Sequence, residues 1–305
     1  NLTLNASIPF VKVLSAKLLV GYDRTNQQFK SWLQPYEMMV RERSSSGWYW
    51  NKALPPGITV NTLRQSSAIS TRETFQPQIN YENRFGNHDV KALFVYEYSQ
   101  TDGNSFSTGA RNFALTDLHE INYGSKDVVD YITPTGSSDR TARAGYVGRL
   151  NYAYKSKYLA ELVARYDASY NFAPENRWGL FPAASLGWVI SQEDFFDNLS
   201  STINMLKVRG SAGLLGNDRI GEFQYLQTFS LTTSPVVVIG GRPVTALFTT
   251  AVPNRDITWE KTTTYNVGFE ATLWRGKLDV EFDWFYKITR DILDNVGGIY
   301  PPSVG

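Results

Sequence analysis

Cysteine is absent from the 305 residues, and histidine occurs only twice, at His88 and His119. Without cysteine there is no disulfide framework, zinc–thiolate site or thiol nucleophile. Two histidines so far apart, in unlike local sequence, offer neither a histidine metal site nor a triad, and no cofactor is expected. An excess of either charge is missing too. The 30 Lys+Arg against 29 Asp+Glu leave a formal net charge of +1, which speaks against a nucleic-acid binder driven by phosphate neutralisation. Long apolar runs are also lacking. The longest span a few residues, as at Val236–Ile239, far from the roughly 18 that mark a membrane helix. The opening Asn1-Leu2-Thr3-Leu4-Asn5 has neither the basic start nor the apolar segment of a signal peptide.

Aromatic residues are abundant: 18 Tyr, 17 Phe and 8 Trp, with charged residues at only 19%. Apolar residues recur with a period of two, the signature of strands. Tyr158, Ala160, Leu162, Ala164 and Tyr166 share one face, and Leu159, Glu161, Val163 and Arg165 the other. The same alternation marks runs near 2–8, 16–22, 75–81, 90–98, 146–154, 182–190, 206–214, 265–273 and 278–288. That makes about ten strands, and no apolar-face position among them is charged. The opposite face carries both signs, with Glu161 and Arg165, and Asp283 and Lys287, taken as pairs. A wet or plugged lumen accounts for such a face, and lipid accounts for an uncharged one, where Lys or Arg at mid-bilayer costs roughly 2–4 kcal/mol.

The expected connections alternate in length. Short turns fall near 9–13, 86–88, 155–157 and 275–277, with a medium connection at 191–204. Long segments fall at 24–71, 100–140 and 215–261, and a shorter one at 171–179. Tight turns at one end and long loops at the other is the layout of outer-membrane barrels. Gly86 and Gly276 sit where a hairpin turn needs positive φ. Pro77 and Pro182 fall inside strand patterns, which either argues against those two strands or points to a strand end or bulge. Ser191 reads as the N-cap of a helical turn reaching Phe196.

Several stretches resemble the SusC/RagA family of TonB-dependent outer-membrane transporters. The longest covers Gly148–Phe196, with RLNY, KYL, RYDAS, NRWG and the GWVISQEDFF ending. Ala168 stands where the family usually has Gly. LKVRGSAGLLGND at 206–218 and ITWEKTTTYNVGFE…FDWFYKITRDIL at 257–293 are similar to two further family motifs, in the right order. The start, LNASIPFVKVLSAKLLVGYD, and GNHDVKALFVYEYSQTDGNSF fit as well. The resemblance implies an all-β antiparallel meander of about ten strands, an open arc of a large, roughly 22-stranded outer-membrane β-barrel. Residues 1–305 would form part of one barrel domain, with a plug, a TonB-contacting segment and further strands encoded outside them. The loop-like stretch 297–302 would precede more strands.

The resemblance implies import of oligosaccharides, or in some cases peptides. The implied partners are TonB, acting through an N-terminal region, a SusD-like surface lipoprotein and outer-membrane lipid, in a Gram-negative, Bacteroidota-like cell. Trp48, Tyr49 and Trp50, in the 24–71 segment, are candidates for contact with substrate or lid; loop packing or a membrane-surface girdle is the plainer account. Arg149, Glu161, Arg165, Arg209 and Glu281 are candidates to face the lumen, where they would line a substrate path or pair with neighbouring strands or the plug. A soluble glycan-binding β module and a passive porin stand as alternatives. Catalysis is not expected. Glu193-Asp194 and Asp291 with Asp294 lie beside turns or strand ends, where solvated charge explains them. Gly213–Asn217 lacks the GK[ST] ending of a phosphate loop.

Overall fold

The computed structural model describes residues 1–8, 10–11, 13–231, 237–244, 247–249 and 253–292. The stretch 297–302 and Asp294 lie outside the described residues. In chain order the strands are β1 (Leu2–Ser7), β2 (Leu14–Leu33), β3 (Met38–Ser44), β4 (Gly47–Ala53), β5 (Thr62–Phe85), β6 (His88–Arg111), β7 (Tyr131–Tyr154), β8 (Tyr158–Ser169), β9 (Trp178–Val189) and β10 (Ile203–Asn217). They continue with β11 (Phe229–Leu231), β12 (Val237–Ile239), β13 (Arg242–Val244), β14 (Leu247–Thr249), β15 (Glu260–Leu273) and β16 (Leu278–Arg290). Ten of them form one sheet in the order β1-β2-β5-β6-β7-β8-β9-β10-β15-β16. Each of the ten alternating runs in the sequence lies in one of these strands, apart from the last residue or so of two runs. The other strands form three two-stranded ribbons, β3-β4, β11-β14 and β12-β13.

The chain divides into two compact units. One holds residues 1–21, 74–99 and 142–305, the other 22–73 and 100–141. In the first, the registers place the apolar runs on a common face. Tyr146 is opposite Tyr166, and Leu150 is opposite Leu162. Leu186 is opposite both Ala160 and Gly210, and Val267 is opposite Gly210 and Trp284. Leu2, Leu4 and Ala6 meet Val20, Leu18 and Ala16. In antiparallel pairs opposed residues share a face, so one slipped register would mix the two sets. None of these does.

Turn chemistry closes the short ends. Gly86 and Gly276 adopt φ of 60° and 81°, the left-handed conformation that glycine enters without a Cβ clash. Pro182 stays opposite Ala164 in β8. The β9–β10 ladder, however, runs from Val189↔Lys207 only as far as Ala183↔Gly213. It stops one residue short of Pro182, which has no N–H to donate. Beyond that point Phe181 fills the space, packed with buried Phe172 and Trp259 and flanked by Leu214, Ile220 and Ile257. A Cβ at Gly216 would collide with the Phe181 ring.

The second unit carries the distal parts of β2, β5, β6 and β7, the β3-β4 hairpin and the 112–130 connection. Its small core is Leu63, Ala110 and Phe113, with Trp32 and Ile121 against it. Asn61 holds this connection in place: its Nδ2 donates to the Phe113 carbonyl at 3.0 Å, and its Oδ1 accepts from the Phe113 N–H at 2.6 Å.

Three expectations are corrected. The long segments 24–71 and 100–140 are strand for much of their length: β2, β5, β6 and β7 run to 20, 24, 24 and 24 residues. Stretches such as 65–71 and 100–108 have polar residues on both faces, so they carry no alternation to read. Ser191 is not a cap. It lies inside a 3-10 turn, Ile190–Gln192, and a second turn, Asp194–Leu199, follows with Glu193 at its N-cap and no side-chain cap bond. The expected pairs Glu161–Arg165 and Asp283–Lys287 do not form. Residues four apart on a strand are roughly 13 Å from each other, whereas cross-strand neighbours are about 5 Å apart.

Candidate functional site

The two faces of the first unit differ in chemistry and share their exposure. On the apolar face, Leu162 is 55% exposed, Leu186 69% and Trp284 56%. These side chains stand free of any second sheet. A soluble sandwich with a dry core between two sheets is therefore not this structure.

Aromatic rings border that face at two levels. One row comprises Phe94, Tyr96, Tyr146, Tyr166 and Trp178, with Tyr166 and Trp178 stacked at 4.6 Å and Tyr96 and Tyr146 tilted at 5.1 Å. The other comprises His88, Tyr154, Tyr158, Trp188 and Phe195 in successive contact. Between the rows the face presents Leu150, Ala160, Leu162, Ala164, Leu180 and Leu186. The rows are separated along β8 and β9 by roughly 26–33 Å at 3.3 Å per residue. With the tilt of a barrel strand this becomes roughly 20–25 Å, the height of a lipid-facing band between aromatic girdles.

The other face is a set of ion pairs that cross strands. Arg209 on β10 reaches Glu270 at 2.7 Å and both Glu281 and Asp283 at 2.6 Å, and Lys207 adds Glu270 at 3.3 Å. Register explains the reach. Arg209, Gly268 and Asp283 lie in one row across β10, β15 and β16. A Cβ at Gly268 would collide with the Asp283 carboxylate, which lies over the glycine. Arg165 binds Glu97 at 2.9 Å and Asp167 at 3.0 Å. Arg149 stands 3.9 Å from Glu161. All five expected lumen candidates thus occupy the charged face, and each is paired with a neighbouring strand or residue. Lys91, Asn151, Glu161, Ser185, Lys207 and Arg209 help to line a recess of about 550 Å³.

Polar clasps secure the strand ends. Glu193 accepts from the Tyr158 hydroxyl at 2.7 Å, the Trp188 indole N–H at 3.1 Å and Lys157 at 3.2 Å. These bonds, the Tyr158 hydroxyl foremost, hold its carboxyl below the usual range and leave it no freedom to cap the following turn. At the other end, Asp218 accepts from Ser169 Oγ at 2.6 Å and Arg143 at 3.0 Å, and its carbonyl accepts from Asn171 Nδ2 at 2.8 Å. Beside it, burial, with a hydrogen bond to Glu222, pushes the Tyr170 hydroxyl up to about 12. Nothing in the local sequence marks this buried polar knot, because Ser169 and Asp218 lie 49 residues apart.

The hairpin divides the other expected group. Trp48 and Trp50 share a face of β4, and Tyr49 lies on the other, donating to Glu42 at 2.8 Å. That bond raises the Tyr49 pKa. Arg41 and Arg43 of β3 are opposite Trp50 and Trp48. The Arg41 guanidinium sits 4.7 Å from the Trp48 ring centre, and that of Arg43 5.8 Å. Gly213–Asn217, set aside above as a phosphate loop, is strand. Among the described residues no group of three or more His, Asp or Glu is placed to hold a metal.

The family model described as TonB dependent receptor-like, beta-barrel matches residues 3–304. The chain belongs to that barrel family. Relatives include TonB-dependent receptor P39 of Formosa agariphila, 31% identical over 275 residues, covering 81% of this chain and 26% of the relative. TonB-dependent receptor P3 of the same organism is 29% identical, covering 73% and 22%. TonB-dependent receptor SusC of Bacteroides thetaiotaomicron is 32% identical over 163 residues, covering 53% and 16%. The SusC/RagA resemblance carried by the motifs agrees with these. A solved structure of the RagAB peptide transporter superposes with a TM-score of 0.78 at 21% identity, covering 93% of this chain and 29% of that one. The barrel family's fold is thus present here as ten antiparallel strands. The chain spans about a quarter of the length of the first of these relatives.

Proposed function

We propose that residues 1–305 form part of the barrel domain of a TonB-dependent outer-membrane transporter. It imports oligosaccharides or peptides together with a SusD-like surface lipoprotein and draws energy through TonB. The observation that carries this reading is the pair of faces: an exposed, uncharged surface bordered by two aromatic rows, backed by a surface of crossed ion pairs. Lipid accommodates the first, since charge there costs roughly 2–4 kcal/mol at mid-bilayer. Water or a plug accommodates the second, where Arg149, Glu161, Arg165, Arg209 and Glu281 face the lumen. Similarity to SusC and to the RagAB peptide transporter supports the transport reading and leaves both substrate classes in view. TonB and the lipoprotein follow from the same similarity. A bare porin needs neither, and the motif matches favour the coupled system.

The test is fractionation of cells that express the whole gene from its own locus, with an epitope inserted at Ser45-Ser46 in the β3-β4 turn. Outer-membrane recovery, labelling on intact cells and uptake that stops when TonB is deleted are the expected results. A soluble product sinks the transporter reading and promotes a glycan-binding module. Uptake unaffected by loss of TonB promotes a passive pore.

A further inference from the structure

The β3-β4 hairpin carries two arginines that no acid answers. Strand alternation sorts its residues by side. Arg41, Arg43, Trp48 and Trp50 share one face, with Met39 and Lys52 at the far end. Glu42, the hairpin's own carboxylate, points to the other face, where Tyr49 and Asn51 donate to it. Lys52 is taken by Glu37 at 2.8 Å. Among the described residues no carboxylate lies within ion-pair distance of Arg41 or Arg43, whose interactions are with the Trp48 ring. Both indoles are solvated, Trp48 at 58% exposure and Trp50 at 64%. Packing therefore accounts for neither the tryptophans nor the arginines.

We infer that this face binds an anionic saccharide, one whose sugar rings carry carboxylate or sulfate groups. The inference rests on the transporter reading and narrows its substrate class. A guanidinium lying over an indole keeps its N–H donors in its own plane. They remain free for the forked hydrogen bonds that carboxylate and sulfate accept. The Trp50 ring offers an open π-face to the flat C–H side of a pyranose. A neutral glycan satisfies the indole and leaves both guanidinium groups unanswered. An acidic peptide satisfies the guanidinium groups and brings no flat ring face for Trp50.

The test uses the whole transporter, purified in detergent, and tryptophan fluorescence titrations with four probes: oligogalacturonate, a sulfated galactan oligosaccharide, maltoheptaose and hexaglutamate. Lipopolysaccharide micelles are a fifth. At least one acidic saccharide binds roughly threefold to thirtyfold more tightly than maltoheptaose, the span expected of two exposed charge pairs, and added salt erodes the advantage. The double variant Arg41→Gln/Arg43→Gln abolishes the difference, and Trp50→Ala weakens binding of whichever acidic saccharide is preferred. Trp50→Phe, which keeps a ring, retains most of it. Heat-modifiable gel migration verifies that each variant is folded. Equal affinity for neutral and acidic saccharides, binding of no saccharide, hexaglutamate binding as tightly, or lipopolysaccharide outcompeting the sugars each overturns the inference. TonB-dependent uptake of a neutral glycan or a peptide, unchanged in the double variant, overturns it and leaves the transporter reading intact. A protein absent from the outer membrane overturns both.

Discussion

The two faces of β8, β9, β10, β15 and β16 come from the same strands, residue by residue, and both lie open in the chain. They are held in different ways. The apolar face has side chains that neither bond nor bury: Leu162, Leu186 and Trp284 touch little beyond their neighbours on the sheet. On the charged face, Arg209 alone binds three carboxylates. Exposure by itself therefore says nothing about which solvent a face meets. The decisive property is what the side chains leave unsatisfied: one face leaves apolar area, and the other leaves almost no charge.

That contrast breaks most severely where the ladder separating the faces stops. Phe181→Ala empties the space beyond Ala183↔Gly213, against Phe172 and Trp259. It is expected to cost about 3–5 kcal/mol, the range for a buried Phe, read as a lower denaturation midpoint of the whole transporter in vesicles. Next in size is a swap of chemistry between faces. Leu162→Arg is expected to cost roughly 2–4 kcal/mol in lipid. Ser185→Arg, on the other face and opposite Glu161, is expected to stay within roughly 0.5 kcal/mol. Similar costs for the two variants would refute the assignment of faces.

Arg209→Gln sharpens the other side of the comparison. It leaves Glu281 and Asp283 facing Glu270 with only Lys207 to answer them, and is expected to lower the denaturation midpoint by less than Leu162→Arg does. A second change, Asp283→Asn, is expected to return part of that loss in a double-mutant cycle. The smallest effect lies at the short-turn end. The Glu193 carboxyl is held below the usual range by the Tyr158 hydroxyl and the Trp188 indole. Its contribution is therefore complete above the ordinary carboxylate range and lost as pH falls through the depressed value. Glu193→Gln is expected to flatten the acid side of the stability profile; an unchanged profile would remove the clasp from the account.

Where the sequence was legible follows from the same contrast. Tyr158–Tyr166 and Leu278–Ile288 alternate because two solvents meet them, so strands and faces could be read, and the registers from β7 to β10 and on through β15 and β16 keep those faces intact. The distal parts of β5 and β6 meet one kind of surroundings on both sides. Gln65-Ser66-Ser67 and Asn104-Ser105 alternate nothing, and strand there passed for loop. Charge partners were illegible for another reason. Glu161 meets Arg149 through a neighbouring strand, and local sequence holds no record of that register. The Trp48–Trp50 cluster was visible as composition, but its division into two sides needed the hairpin, as did the discovery of Arg41 and Arg43 beside it.

The early end of the β9–β10 ladder also has a mechanical meaning. A tension drawn along β9 passes through Val189 to Ala183 into both neighbours, and past Pro182 only into β8. A wall built this way is stiff at its short-turn end and compliant at the other. A pull on the 170–177 connection is met by side-chain bonds, Asn171 to the Asp218 carbonyl and the Trp259 indole to the Arg177 carbonyl, and by the Phe181 ring packed beside them. Side-chain packing and the Asp218 bonds stand there in place of a row of backbone hydrogen bonds.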